Sequence, residues 1–445
     1  MRLYLVFLAS VSFVAAQHSL PRHDAEAILT KVREKVIQKA ERLPHYLCTE
    51  TVDRSTFQPD SGEAAIRSCE DLASRKEKHD WRLRKRTSDR VRLDVALSAH
   101  DEMYSWVGED RFEDRRLADL VQEGAVSTGT FASFLSNVFV TDAATFRYRG
   151  DVDADGRRLI EFAFRVPIEK STYHMGRRSQ RHNIVGYEGT FLADPNSFNL
   201  VRLTIRPDQL RAEFEACESV MTLDYGSVRV DESEFLVPQK ARWHIAALDG
   251  SELDNITVFS SCHEFVGEST IRFDKQPDTM KAASGNSASK NFRLPSGLSF
   301  SFALTTPIET ATAAAGDRFK ARLKSAIRKK HNGILVPKGA ALSGRIIRIE
   351  RLYGPVYQSL VLALKLETIE ANGVPVPLYA RLESVVKRGH AGPVEKDDLG
   401  SFHQTFDPAF DPKDPAVGIV QFDDVTDDYV INRGLEMEGM TAASN

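Results

Sequence analysis

The sequence predicts an α+β protein that is mainly β: an antiparallel sheet with helices, then a small C-terminal β-barrel-like domain. Three observations carry this. Apolar residues alternate with polar ones in many separate runs, the period of strands with one buried face. Helical spacing appears in two segments. A small, polar, aperiodic stretch, "KQPDTMKAASGNSASK" at 275–290, divides the chain as a linker would.

With 445 residues, 42% of them hydrophobic and 9% aromatic, the chain is long enough for two or three domains with real cores. A net charge of −4 gives no bulk attraction to nucleic acid or anionic membrane. Residues 1–16, "MRLYLVFLASVSFVAA", place one cation, Arg2, before an apolar run and end on small residues. That is the pattern of a secretory signal peptide cleaved before Gln17, and the run is shorter than the roughly 20 residues a membrane span requires. An exported protein, periplasmic or extracellular, is expected, with no transmembrane anchor after cleavage.

Export makes disulfides the expected state of Cys48, Cys69, Cys217 and Cys262. Three pairings are open. Nearness in sequence favours Cys48–Cys69 with Cys217–Cys262; the cysteines lack the close C-x-x-C or histidine spacing of a zinc site.

Taking the elements in order, Asp24 is placed to cap a helix with Ile28, Leu29, Val32, Val36, Ala40 and Leu43 on one face, ending before Pro44. Strands follow, among them Val91, Leu93, Val95 and Leu97; Ile160, Phe162, Phe164 and Val166; and Val201, Leu203 and Ile205. Between them "STGTFASFLSNVF" reads as a helix capped at Ser127 or Thr128, with Phe131, Phe134, Leu135 and Val138 on one side. The first domain is expected over 22–275 and the linker over 276–292. A β domain over 293–441 should then be interrupted by an exposed, Asp- and Pro-rich insertion at about 389–428.

That second domain repeats one pattern three times: "LPSGLSF", "VPKGAAL" and "INRGLEM". Pro295 and Pro337 preset φ for a turn and Asn432 replaces them; Gly297, Gly339 and Gly434 supply a left-handed residue before the next strand. Strand-starting turns are expected from all three.

These stretches, with the G-D-x-F turn at Gly316, Asp317 and Phe319 and the strand ending at Gly344, resemble the C-terminal β domain of TrbI-like conjugation scaffolds, over 294–385 and again 429–441. "YEGTFLADPNSFNLVRLTI" and "SVMTLDYGSVRVDESEFLVP" resemble consecutive strands of periplasmic lipoprotein-carrier-like proteins, and the whole is similar to secreted proteins of soil bacteria. The carrier resemblance implies a half-barrel with a helical lid, holding acyl chains on its concave face.

Other motifs yield less. "DVDADGRRLIEF" matches a calcium loop at Asp151, Asp153, Asp155 and Gly156, but places Phe162 where the bidentate glutamate belongs, so a hairpin turn is expected. Residues 75–92 carry nine Lys/Arg against three acids, and residues 395–428 ten acids against two bases; a solvated face or a contact between the two is expected before any polyanion. The histidines His174, His182, His244 and His263 lack metalloprotease spacing, and the serines lack a nucleophile elbow. His263 and Glu264, neighbours on a strand, would face opposite sides.

No catalytic, cofactor or metal site is therefore expected. The reading is a non-enzymatic exported envelope protein that binds a lipid-like or other apolar ligand, or an envelope protein, with no nucleic-acid partner. A structural or adhesive β module and a hydrolase with an unrecognised site are the alternatives.

Overall fold

A computed structural model describes residues 22–40, 46–264, 293–385, 402–403 and 417–442, less short breaks at 61, 99–100, 110–111, 113–116, 122–123, 177–182, 211–213, 231–232, 330–332 and 372. The expected signal peptide, the linker over 276–292 and most of the Asp- and Pro-rich insertion lie outside the described residues. What is described is mainly β and antiparallel, with its large sheet not closed into a barrel.

The first unit opens with helix α1 (Arg22–Ala40) and strand β1 (Tyr46–Pro59), then α2 (Cys69–Glu77), β2 (Leu83–Ser98), β3 (Asp101–Trp106) and α3 (Leu117–Leu120). A helix, α4 (Ser133–Leu135), runs on as a π turn through Ser136–Val140. Strands β4 (Thr145–Ala154) and β5 (Arg157–Val166) form a hairpin, and the short pair β6 (His174–Met175) and β7 (Asn183–Ile184) comes next. β8 (Tyr187–Ala193), β9 (Leu200–Pro207), β10 (Ala216–Val230), β11 (Ser233–Ala247) and β12 (Glu252–Glu264) finish the unit. Hydrogen bonding orders the main strands β3-β2-β1-β12-β11-β10-β9-β8-β5-β4.

One face of this sheet is buried, as the period-two pattern requires. Val91, Leu93, Val95, Phe162, Phe191 and Leu203 share a core with Val32 and Val36 of α1 and with Phe131, Phe134, Leu135 and Val138. The helices thus cover the sheet's inner face. α1 is also fastened at its rim, where Lys39 Nζ donates to Ser227 Oγ at 3.0 Å and Lys35 Nζ to the Ser197 carbonyl at 2.8 Å. Asp24 sits inside the first turn of α1 rather than at its cap, because the helix already runs from Arg22. The D-A-D-G segment turns between Ala154 and Arg157, with φ of 52° at Asp155 and 71° at Gly156.

The second unit contains β13 (Ser299–Leu304), β14 (Ile308–Glu309), β15 (Arg318–Leu323), β16 (Ile327–Arg328) and β17 (Ile334–Val336). The long β18 (Ala341–Tyr353) and β19 (Gln358–Ala371) follow, then β20 (Val374–Pro377), β21 (Ala380–Val385), β22 (Phe402–His403), β23 (Val417–Asp423), β24 (Val430–Ile431) and β25 (Glu436–Thr441). Its main order is β23-β19-β18-β15-β13-β25-β21. The two end strands meet where a Cβ added at Gly418 would stand 1.9 Å from Leu382 Cβ. A separate core of Phe300, Phe302, Leu342, Leu364, Ile369 and Phe422 fills the inside.

Two expectations need correction. The disulfides join Cys48 to Cys262 and Cys69 to Cys217, across 214 and 148 residues, instead of pairing neighbours. β1 lies beside β12 in the sheet, so its cysteine meets one far along the chain. Residues 417–423, assigned above to the exposed insertion, form a strand against β19 with Val420 and Phe422 buried. Its short alternating run is hidden among flanking aspartates.

The units join at the G-D-x-F turn. Arg92 N–H donates to the Ala315 carbonyl and Ala315 N–H to the Arg90 carbonyl, both at 2.8 Å. Gly316 has φ 106°, and a Cβ there would lie 2.1 Å from the Arg92 carbonyl oxygen, so only glycine allows this approach. Arg92 also pairs with Asp317, and β2 adds three residues of ladder to β18. Part of the basic stretch at 75–92 therefore goes into the joint between units.

Candidate functional site

Three cross-strand rows on the inner face of the first unit build a cleft. One row crosses Asp89, Arg54, Asn255, Trp243 and Met221 on β2, β1, β12, β11 and β10. The next crosses Val91, Val52 and Thr257; the third, Leu93, Glu50 and Phe259. Alternation along each strand is what aims these side chains inward together. Opposite them, Leu117, Val121, Val126, Ser127 and Thr130 form a roof.

The cleft has room for little more than a water molecule, about 20 Å³, and is partly open to solvent. Its walls stand close together. Six of the fourteen lining residues are aliphatic, and three others each hold a buried polar atom with no hydrogen-bond partner: Glu50 Oε2, Thr130 Oγ1 and Asn255 Oδ1. Their residues are 3%, 2% and 3% exposed. Leaving a buried polar atom unsatisfied costs about 1–3 kcal/mol, so three beside one cleft mark a place where folding stability is given up.

Each polar neighbour has its own support. Arg54 is clamped by Asp89, Nε to Oδ1 at 2.7 Å and Nη2 to Oδ2 at 2.5 Å. Asn255 Nδ2 donates to the Ala125 carbonyl at 3.1 Å, and its oxygen has no partner. Glu102, on β3, accepts from the Tyr104 hydroxyl at 2.5 Å and from the N–H groups of Gly129, Ala132 and Ser133 at 2.7, 2.8 and 3.3 Å. That carboxylate, rather than Ser127 or Thr128, satisfies the amides that open α4, and it anchors the roof to the sheet. Burial, helped by the negative charge of Glu102, pushes the Glu50 carboxyl up from 4.5 to about 8. Burial also raises the hydroxyls of Tyr104 and Tyr225.

The site residues expected from sequence lie elsewhere. Gly297, Gly339 and Gly434 have φ of 79°, 87° and 83° and precede β13, β18 and β25. The Pro295 carbonyl accepts from Thr441 Oγ1, the Pro337 carbonyl from Ala340 N–H and the Asn432 carbonyl from Leu435 N–H. None of them borders the cleft. Cys48 stands two residues from Glu50 on the same face of β1, and its bridge to Cys262 ties β1 to β12 beside the site. His244 Nε2 lies 3.0 Å from Glu252 Oε2, with Lys76 bound to the same carboxylate. Among the described residues no three His, Cys, Asp or Glu gather as metal ligands.

Sequence reading missed Glu50, Thr130 and Asn255. The signal was a carboxylate inside an alternating run, Cys48-x-Glu50-x-Val52, on the side that also carries a cysteine.

No protein-family model matches the sequence, and no characterised relative matches it. Among solved structures, the chain is similar to a LolA superfamily protein from Nitrosomonas europaea, at 10% identity and a TM-score of 0.26 over 53% of this chain and 94% of that one. A DUF1329 family protein from Desulfovibrio piger is similar at 11% and 0.27, over 55% and 94%. A domain assigned to outer membrane lipoprotein sorting, from Vibrio parahaemolyticus, is similar at 9% and 0.28, over 56% and 95%. Likenesses this distant support no statement about what this chain binds.

Proposed function

We propose that this is an exported binding protein that holds an apolar, lipid-like ligand between the inner face of its first sheet and the helical roof. One observation carries the reading: a partly apolar cleft beside which the fold leaves Glu50 Oε2, Thr130 Oγ1 and Asn255 Oδ1 buried without partners. An apolar wall with a few convergent polar groups is the usual make-up of a small-molecule site. Two disulfides fit an oxidising compartment, and among the described residues no helix is long and apolar enough to cross a membrane. The second unit, joined to the cleft wall through Val91 and its neighbours, serves in this reading to dock the protein to another envelope component.

Native mass spectrometry of protein purified from the exported fraction tests the ligand. A bound mass that disappears on denaturation is expected, together with fluorescence enhancement of N-phenyl-1-naphthylamine that Val52→Trp abolishes by filling the cleft. A folded protein with no adduct and no probe binding would overturn the reading.

A further inference from the structure

We propose that the hairpin tip between β18 and β19, residues 354–357, docks the protein onto an anionic phospholipid surface, with Val356 entering the lipid interface and the start of β2 supplying the cations. The inference rests on the reading that the second unit docks the protein to the envelope, names lipid as what it meets, and is independent of the cleft.

Tyr353 and Gln358 pair across the hairpin, and the sequence between them is Gly-Pro-Val-Tyr. Pro355 holds its own φ, and Gly354 N–H donates to the Tyr357 carbonyl at 3.1 Å, so the turn is short and closed. Its apolar side chains point outward. Val356 is 88% exposed, the most of any large apolar residue among the described ones, and Tyr357 beside it is 55% exposed. A lone exposed valine is ordinary. Three exposed residues in a row, Pro355, Val356 and Tyr357, at the end of a hairpin make a small apolar wedge.

What surrounds the wedge decides its partner. β2 lies along β18 with Thr87 opposite Leu352, and the two run on together: Lys85 Nζ is 5.2 Å from the centre of the Tyr353 ring, and Ser88 Oγ is 3.0 Å from its hydroxyl. Arg82, Arg84 and Arg86 are exposed on the same strand end, and none of their side chains has an ion-pair or hydrogen-bond partner among the described residues. Asp60 and Glu63, in the turn where Asp60 N–H donates to the Arg82 carbonyl, and Asp80 add acid at the outer end of the strand, four residues from Arg86. They are fewer than the four cations.

On the other flank the acids are set back from the tip. Asp423 is opposite Ser359, three residues or about 10 Å of strand from Val356, and accepts from Ser359 Oγ and Gln421 Nε2. Asp424 follows it, then Val425 N–H donates to the Gln358 carbonyl, and Asp427 and Asp428 lie further back, where Arg351 donates to the Thr426 and Asp427 carbonyls. Cations level with an exposed apolar tip match a bilayer surface, where each Lys or Arg near anionic headgroups strengthens binding about fivefold. A protein partner is matched less well. A four-residue convex tip offers far less than the roughly 800 Å² a side that a stable protein interface buries.

Flotation of the purified protein with vesicles of phosphatidylcholine alone, or with half of it replaced by phosphatidylglycerol, tests the proposal. At about 0.1 M salt, binding to the anionic vesicles should be at least about tenfold tighter than to the neutral ones, and about 0.5 M salt should remove most of the difference. Arg84→Gln/Arg86→Gln should weaken anionic binding about 30-fold and Val356→Asp at least about tenfold, each with an unchanged melting temperature. Val356→Trp should shift emission to the blue on anionic vesicles and be quenched by brominated acyl chains more than the unmutated protein is.

Equal binding to the two vesicles would overturn the proposal, and so would anionic binding that Val356→Asp leaves untouched, since the contact would then lie elsewhere. Retention by native envelope vesicles without binding to pure lipid would mean a protein partner, overturning the lipid while keeping the docking. Retention by neither would remove the docking role as well. None of these outcomes alters N-phenyl-1-naphthylamine binding, on which the cleft is judged separately.

Discussion

The two units treat buried polar groups differently. In the second, Arg345 is 1% exposed yet bonds Glu367, the Val107 carbonyl and the Gly316 carbonyl, and Arg351 reaches Thr310 and the carbonyls of Thr426 and Asp427. Among the described residues, Gln358 is that unit's one buried side chain with an unpartnered polar atom; the others, including Glu50, Thr130, Tyr225 and Asn255, belong to the first. Both units are built from antiparallel strands around an apolar core, so the contrast is not one of architecture. A fold that can pair Arg345 fully and leaves Glu50 open has a reason to leave it open. Among the described residues, the unpartnered buried polar atoms thus gather in the first unit.

Reduction should break the comparison most forcefully. Both disulfides lie in the first unit, and their loops of 214 and 148 residues make each worth roughly 5 kcal/mol by chain entropy. With dithiothreitol, or in Cys48→Ser/Cys262→Ser, the first unit should melt well before the second, giving two calorimetric transitions with the upper one unmoved. A common downward shift of a single transition would mean that the units do not differ in this way.

Glu50 gives the next largest effect, with a definite sign. Its folded value of about 8 stands above the ordinary 4.5, so between these pH values the folded state holds a proton that the unfolded state has released. Stability contributed by the protonated carboxyl is thus full below about 4.5, declines as pH rises and is exhausted above about 8, on the order of 4 kcal/mol in all. Chemical denaturation from pH 5 to 9 should show that fall, and Glu50→Gln should flatten it. A pH-independent midpoint in the unmutated protein would contradict the burial of an unpaired carboxyl.

Why the strands were legible and the cleft was not follows from range. Val91, Leu93 and Val95 declare a buried face within seven residues, because strand period is local. The covering helix was visible in the same way through Phe131, Phe134, Leu135 and Val138, yet its N-terminal partner was not: Glu102 lies on another strand. Glu50 looks like an ordinary polar member of an alternating run until β12 brings Phe259 beside it and β2 brings Leu93. Cys48 was misassigned for the same reason. The buried strand Val417–Asp423 was obscured by composition, since surrounding aspartates outweighed three alternating buried positions.

The joint between units is the third test. Gly316→Ala would drive a Cβ to 2.1 Å from the Arg92 carbonyl oxygen at a φ of 106°, so one unit must move off the other. Strain of this kind costs about 1–3 kcal/mol, and it falls on the β2 backbone next to Val91, a cleft residue. Probe affinity should therefore drop along with stability. Loss of stability without loss of affinity would show that the second unit does not buttress the cleft.

The smallest expected effect separates backbone strain from packing inside the second unit. Gly339 has φ 87° but nothing within 4 Å of an added Cβ, whereas at Gly344, five residues on, a Cβ would lie 2.3 Å from the Lys365 carbonyl oxygen and 2.5 Å from Phe319 Cζ. Gly339→Ala should cost only the left-handed penalty, about 1–2 kcal/mol. Gly344→Ala must push apart β18 and β19 and should cost more. Gly339→Asn, which tolerates the left-handed region, should recover most of the loss, while Gly344→Asn should be worse than alanine. If asparagine fails to rescue position 339, the turn glycine is required for something other than its φ, and the repeated Φ-P/N-x-G pattern regains a claim to function beyond starting a strand.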